Sequence, residues 1–398
     1  MRTLRPPFFL ALVFMSLVSA CSPEDQRPVG GASPLYPVPH AQLPPLSADS
    51  PKLPDGSILT YRSGRDVVLM FGGGSAQRIA FSADRFGGFS LTSDRRFAFA
   101  PFKEAPNGKE VGIAVVDLQT REMKVIRCAC GRTLPGGGST VLWWEYPDRI
   151  MTLDLRRGNP APEILRVVKL PDSENDNSPR RTERKSPTIE LLGASQGMVI
   201  LQKLAQPELV SGGPYDLYVV QSDGSVRPLG QTPLPGVTAY ASFRDDGKFF
   251  AYAMVQHLDA SFRAWSVAVI DTTAWQTETS DIEDAPNPHA VPVINGMWWS
   301  PADALEVGYE SWDHESPPGE IGLITKPNVY KFAENRWRQV TSDGATWVFD
   351  FTPKTAAVLV PTDPNKAFGA ANLYLQADGK RWLLSEDASA PSGFVTGD

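Results

Sequence analysis

The chain has 398 residues, with 45 acidic against 38 basic side chains and a formal net charge of −7. No basic stripe appears in it, which argues against a nucleic-acid partner. Only three cysteines and four histidines are present, too few for a multi-histidine metal centre.

The N-terminus comes first. Arg2 and Arg5 precede an apolar stretch, residues 8–20, which at 13 residues is too short to span a bilayer as a permanent helix. It has the shape of a secretory signal. The stretch ends in Leu17-Val-Ser-Ala-Cys21, which resembles the bacterial lipobox. That resemblance implies diacylglycerol on the Cys21 thiol, cleavage before it and acylation of the new amine, giving stable membrane anchoring. The alternative is an ordinary signal with a chance cysteine. Ser22 follows instead of the aspartate of an inner-membrane retention signal, so a Gram-negative source implies the periplasmic face of the outer membrane. Loss of residues 1–20 removes Arg2 and Arg5, leaving 36 basic and 45 acidic side chains, a net charge of −9.

Residues 21–56 read as the lipidated cysteine and a tether. Prolines at 23, 28, 34, 37, 39, 44, 45, 51 and 54, with few apolar residues between them, favour extended chain over a core. A proline-rich ligand for a partner is the other reading of this segment.

From residue 57 the pattern changes to short strands. Residues 57–61, 66–71 and 77–81 read as three strands with none before them. A hairpin then recurs along the chain. Its clearest copy is Phe243-Arg-Asp-Asp-Gly247 followed by the apolar run 249–255, where Asp-Gly is a strong turn signal. Leu91, Trp144, Leu192, Phe243, Trp299 and Phe351 anchor successive copies, at gaps of 53, 48, 51, 56 and 52 residues. A period near fifty with four strands per period predicts an all-β chain folded as a β-propeller over residues 57–398. Each such sheet relies on its neighbours in the ring to bury its faces. The C-terminal strand around Ser392-Gly-Phe394-Val-Thr396 is expected to complete the N-terminal sheet and latch the ring. That gives seven four-stranded blades, with six as the alternative count.

Cys128 and Cys130 stand in Arg127-Cys-Ala-Cys-Gly131. A secreted chain permits a local disulfide there. Plain loop thiols, or a two-thiolate metal site with ligands that no motif supplies, are the other readings. The expectation is a disulfide or plain cysteines, and no metal.

The connections are unequal. Those joining the first and second strands of a blade read as tight turns, as do those joining the third and fourth. The remaining connections read as long, including 103–109, 128–139, 171–187, 205–214, 256–263, 281–292, 313–327 and 361–370. Long loops gathered on one face of a rigid scaffold are where binding usually resides. Trp312, Asp313, His314 and Glu315, with His257 and His289 in loops of the same face, form the candidate binding set. An imidazole, carboxylates and an aromatic platform together would suit a ligand; an ordinary solvated loop is the bland reading.

Two further signals resolve as structural. Trp143-Trp144 and Trp298-Trp299 invite stacking on a carbohydrate, but their repeat positions favour core packing. Gly193-Ala-Ser195-Gln-Gly197 matches the nucleophile-elbow pattern, which requires a helix after the turn, whereas residues 198–202 read as strand. No P-loop, HExxH, paired-cysteine zinc motif or EF-hand loop is present, so no cofactor is expected.

The repeat itself, Trp299-Ser-Pro-Ala-Asp303 and Phe243-Arg-Asp-Asp-Gly247 above all, resembles the TolB-type propeller repeat. Tyr374-Leu-Gln-Ala-Asp-Gly379 and Arg338-Gln-Val-Thr-Ser-Asp343 resemble its outer half. The resemblance covers most of residues 57–396 and implies fold more than function. The expectation is a monomeric, lipid-anchored, extracytoplasmic module that binds a protein or another envelope component. A carbohydrate-active enzyme or glycan-binding propeller is the alternative.

Overall fold

The computed structural model describes residues 36–37 and 51–395, apart from 65, 74–77, 83–88, 104–109, 129, 131, 146, 159, 172–188, 206–214, 233–240, 259–260, 283–289, 314–322, 341–343 and 364–369. All regular structure among these residues is strand. The signal segment, Cys21 and most of the tether lie outside the described residues.

In chain order the strands are β1 (Tyr36–Pro37), β2 (Ser57–Ser63), β3 (Asp66–Phe71) and β4 (Arg78–Ser82). Then come β5 (Ser90–Leu91), β6 (Phe97–Lys103), β7 (Glu110–Asp117) and β8 (Met123–Arg127), which form blade I. Blade II holds β9 (Thr133–Pro135), β10 (Thr140–Glu145), β11 (Arg149–Asp154) and β12 (Glu163–Val167). Blade III holds β13 (Ile189–Ser195), β14 (Met198–Leu204), β15 (Tyr215–Val220) and β16 (Val226–Thr232). Blade IV holds β17 (Ala241–Phe243), β18 (Phe249–Leu258), β19 (Ser261–Asp271) and β20 (Gln276–Asp281). Blade V holds β21 (Ala290–Trp299), β22 (Leu305–Asp313), β23 (Leu323–Ala333) and β24 (Arg336–Gln339). The last strands are β25 (Trp347–Thr352), β26 (Thr355–Pro361), β27 (Ala371–Ala377) and β28 (Lys380–Val395).

One seven-stranded sheet runs β25-β26-β27-β28-β2-β3-β4. It is two blades sharing β28. The first half of β28 pairs with β27, from Ala377↔Lys380 to Leu373↔Ser385. The second half pairs with β2, from Ser63↔Ala388 to Ser57↔Val395. Blade VI is therefore β25 to early β28, and blade VII is late β28 followed by β2, β3 and β4. The protein is a seven-bladed β-propeller whose C-terminal strand closes the ring on the N-terminal sheet, as the repeat spacing requires.

Seven apolar clusters fill the seven seams. Leu69 and Phe81 of blade VII meet Leu91 and Ala98 of blade I. Phe99 and Ile113 meet Trp143 and Leu153. Leu142 and Ile150 meet Leu191 and Leu201. Ile200 and Leu217 meet Phe250 and Ile270. Ala253 and Val267 meet Met297 and Val307. Val329 meets Val348 and Val358 across the V–VI seam, where the cluster holds only five buried residues. Phe349 and Leu373 meet Leu59 and Tyr61. Each large side chain buried this way contributes about 1.5–3 kcal/mol, which is why one blade depends on the next.

The turns follow their chemistry. The Asp246-Gly247 turn closes with the Gly247 amide on the Arg244 carbonyl at 2.8 Å, and Gly247 takes φ +69°, a region glycine enters without steric cost.

Three sequence readings are corrected. In blade II the hairpin around Trp144 joins the second and third strands. The innermost strand is the three-residue β9, and the turn after it is Gly136-Gly-Gly-Ser139. The connection read as a loop over 128–139 thus contains a strand. Residues 256–263, also read as loop, are mostly ladder: His257 pairs with Phe262 and Leu258 with Ser261. Trp312 and Asp313 likewise belong to β22, paired with Val291 and Ala290. The backbone can keep its hydrogen bonds beyond the apolar core, so polar composition alone does not end a strand. Within the tether, β1 adds a short fifth strand to blade I, with Tyr36 opposite Val125 and Pro37 opposite Lys124.

Candidate functional site

The two faces of the ring differ in construction. On the face of tight turns, side chains sew neighbouring turns together. Ser93 donates to the Gly136 carbonyl and Ser139 to Asp94, joining blades I and II. Arg166 donates to the carbonyls of Gly197, Gln221 and Ser222 at 2.9, 2.7 and 2.7 Å, joining II and III. Gln196 donates to the Asp246 carbonyl, joining III and IV. Arg95 donates to the Val395 carbonyl of blade VII and to Asp245 of blade IV, the latter at 3.0 Å.

On the opposite face, blades IV and V stand taller than the rest. β18, β19, β21, β22 and β23 have 10, 11, 10, 9 and 11 residues. Every other described strand except β28 has eight or fewer. In blade IV, β17 pairs only with residues 250–252 and β20 only with 266–271, so the rest of the β18–β19 hairpin rises as a two-stranded ribbon. In blade V, β24 pairs only with 330–333, and β21, β22 and β23 continue as a three-stranded extension.

These extensions carry part of the candidate set. His257 stands in the blade IV ribbon, and Trp312 and Asp313 end β22 in blade V. Topology thus places those three positions on adjacent blades at the same end of the ring. His289, His314 and Glu315 lie outside the described residues.

Cys128 and Cys130 are joined to each other, their Cα atoms 5.0 Å apart. Both are buried in the I–II seam, at 8% and 1% exposure. Ser195 of the elbow-like motif sits in a strand-to-strand hairpin, where it pairs with Met198. No helix follows it, so the elbow geometry is absent there. Gly193 is explained by packing: a β-carbon would meet the Phe243 ring at 2.8 Å and the Phe250 ring at 2.9 Å. Trp143 is buried, Trp298 packs on Trp347 with ring centroids 6.1 Å apart, and Trp299 donates to the Ser242 carbonyl at 3.2 Å. Those three indoles are committed to the scaffold.

A cleft of about 360 Å³ opens between blades II and III on the tight-turn side. Gly136, Thr140, Asp154, Glu163, Arg166 and Met198 are among its walls. Arg157 beside it is already paired, with Asp154 at 3.8 Å and with Glu163.

The chemically unusual site lies in the V–VI seam. Along β22, Leu305, Val307 and Tyr309 face blade IV, so the alternate residues Glu306, Gly308 and Glu310 face blade VI. Glu306 is 2% exposed and accepts from the Trp298 indole at 3.0 Å. Burial pushes its carboxyl up to about 7, Asp350 of blade VI adds to that, and Lys331 and the Trp298 bond oppose it. Asp350 is itself raised by burial and held back by Lys331. Glu310 is wholly buried and raised to about 7 by burial, with Asn295 acting in the opposite direction. Sequence reading missed these acids because Leu305-Glu-Val-Gly-Tyr-Glu310 alternates like a strand with one wet face. The usable signal was their position in the second strand of a blade, which a propeller buries on both faces.

No protein-family model and no curated protein sequence matches the chain. Solved structures do. Acylaminoacyl peptidase from Pyrococcus horikoshii matches with TM-score 0.50 and 13% identity over 84% of this chain and 52% of that one. The chain thus spans about half the length of that peptidase. Oligogalacturonate lyase in complex with manganese matches with TM-score 0.49 and 12% identity, over 84% of this chain and 86% of that one. Apo AztD from Citrobacter koseri gives 0.49 and 10%, over 85% and 98%. At 13% identity the likeness to the peptidase is one of fold.

Proposed function

We propose that this propeller is a binding module, lipid-anchored through Cys21 on the extracytoplasmic side of a membrane, which holds a protein or another envelope component on its taller face. The observation that carries the reading is the raised wall of blades IV and V, with His257, Trp312 and Asp313 at its end. The opposite face is bound into a network of turn-to-turn hydrogen bonds, which makes it a base for that wall. A repeat of TolB type and a lipobox-like leader fit the same reading. A glycan-binding role draws less support, because the indoles of Trp143, Trp298 and Trp299 serve the core.

The test is cross-linking in living cells followed by affinity capture and mass spectrometry. Wild type is compared with a variant shortened over 312–318. A stoichiometric partner present with wild type and lost in the variant is the expected result. A partner retained by the shortened protein, or by a Trp312→Ala/His314→Ala variant, refutes this face as the binding surface. The anchor is checked separately: Cys21→Ser should move the protein from the membrane fraction to the soluble fraction and abolish labelling by a palmitate analogue.

A further inference from the structure

Glu310 is fully buried, and neither of its carboxylate oxygens has a hydrogen-bond partner. A carboxylate taken from water is ordinarily paired, protonated or bound to a metal. Lys331, the cation of this seam, acts on Glu306 and Asp350, at the other end of β22. Two further oxygens adjoin the Glu310 side of the seam. Asn295 is the side chain that interacts with the Glu310 carboxyl, and its amide can turn its oxygen inward. Across the seam the Thr346 main-chain carbonyl lies so close over Gly308 that a β-carbon there would collide with it. Gly308 is the residue between Glu306 and Glu310 on this face of β22, and its glycine leaves the carbonyl room to approach.

We propose that Glu310, Asn295 and the Thr346 carbonyl form a binding site for a hard cation, calcium being the ion their chemistry suits. One carboxylate, one amide oxygen and one main-chain carbonyl make the kind of mixed oxygen set that calcium accepts in irregular geometry, with water completing the shell. The small apolar cluster of this seam gives the ion a structural role: it joins blade V to blade VI where side-chain packing is thinnest. This site is independent of the face proposed for partner binding.

The experiment is calorimetric titration of calcium chloride into chelator-treated protein, with thermal unfolding followed in parallel. Wild type should bind one ion saturably and unfold at a higher temperature once loaded. Glu310→Gln keeps the shape of the side chain and removes its charge, so it should fold, lose the binding heat and melt at the same temperature with or without calcium. Asn295→Ser should weaken binding without removing it, and Glu306→Gln should leave it intact. Absence of binding heat in wild type up to about 10 mM calcium overturns the proposal, given the weakest affinities of extracellular calcium sites. So does calcium binding that survives unchanged in both Glu310→Gln and Asn295→Ser.

Discussion

Glu306 offers a quantitative test of the V–VI seam. Its neighbours are known on every side: Trp298 on β21, Lys331 opposite it on β23, and Asp350 on β25 of the next blade. Folding raises its pKa from 4.5 to about 7. A group whose pKa rises on folding binds its proton more tightly in the folded state. Its favourable contribution is therefore complete below pH 4.5 and is lost as pH climbs through about 7. A shift of that size corresponds to about 3 kcal/mol between the two ends of the window. Glu306→Gln keeps an oxygen for the Trp298 indole and carries no charge at any pH. Urea unfolding at about pH 4.5 and about pH 8 should show the variant near wild type in acid and about 3 kcal/mol more stable in alkali. A stability difference that is the same at both pH values would refute the reasoning, because Glu306 would then be solvated or permanently paired.

Two further perturbations probe the ring. Gly393 sits in the closing half of β28, where a β-carbon would strike the Phe349 ring, so Gly393→Ala should destabilise by about 1–3 kcal/mol in the same urea assay. Arg95→Ala removes a bond to the Val395 carbonyl and an ion pair with Asp245, whose side chain is 85% exposed. The ion-pair share should be under about 1 kcal/mol and vanish in high salt, while loss of the Val395 bond should persist and show as faster proteolysis at the C-terminal strand.

How legible this was from sequence varied with the element. Blade number and closure were readable because Asp246-Gly247 and its relatives impose turns locally, and because residues 57–81 lack a first strand that 392–396 can supply. Blade II was misframed because its first strand is three residues followed by three glycines, which carry no strand signal, while Trp143-Trp144 and the turn after them imitate the repeat one strand later. The height of blades IV and V was hidden because the extensions are stabilised by backbone pairing, to which side-chain polarity is indifferent. The acids of the V–VI seam were visible as letters, but their burial depends on a neighbouring blade that begins 40 residues later, at Thr346.

The shared strand β28 also orders events in time. Ser57 finds its partner only at Val395, a separation of 395 − 57 = 338 residues. Until that late segment emerges, β2 presents an unpaired edge with Ile58, Leu59 and Tyr61 exposed, the kind of surface that recruits foreign strands. One stretch of chain completes two blades at once, so any product cut short before Ala388 lacks both the end of one sheet and the beginning of another. Such a product forfeits the ring as a unit and becomes a substrate for proteases, which makes the closing strand a check on complete synthesis.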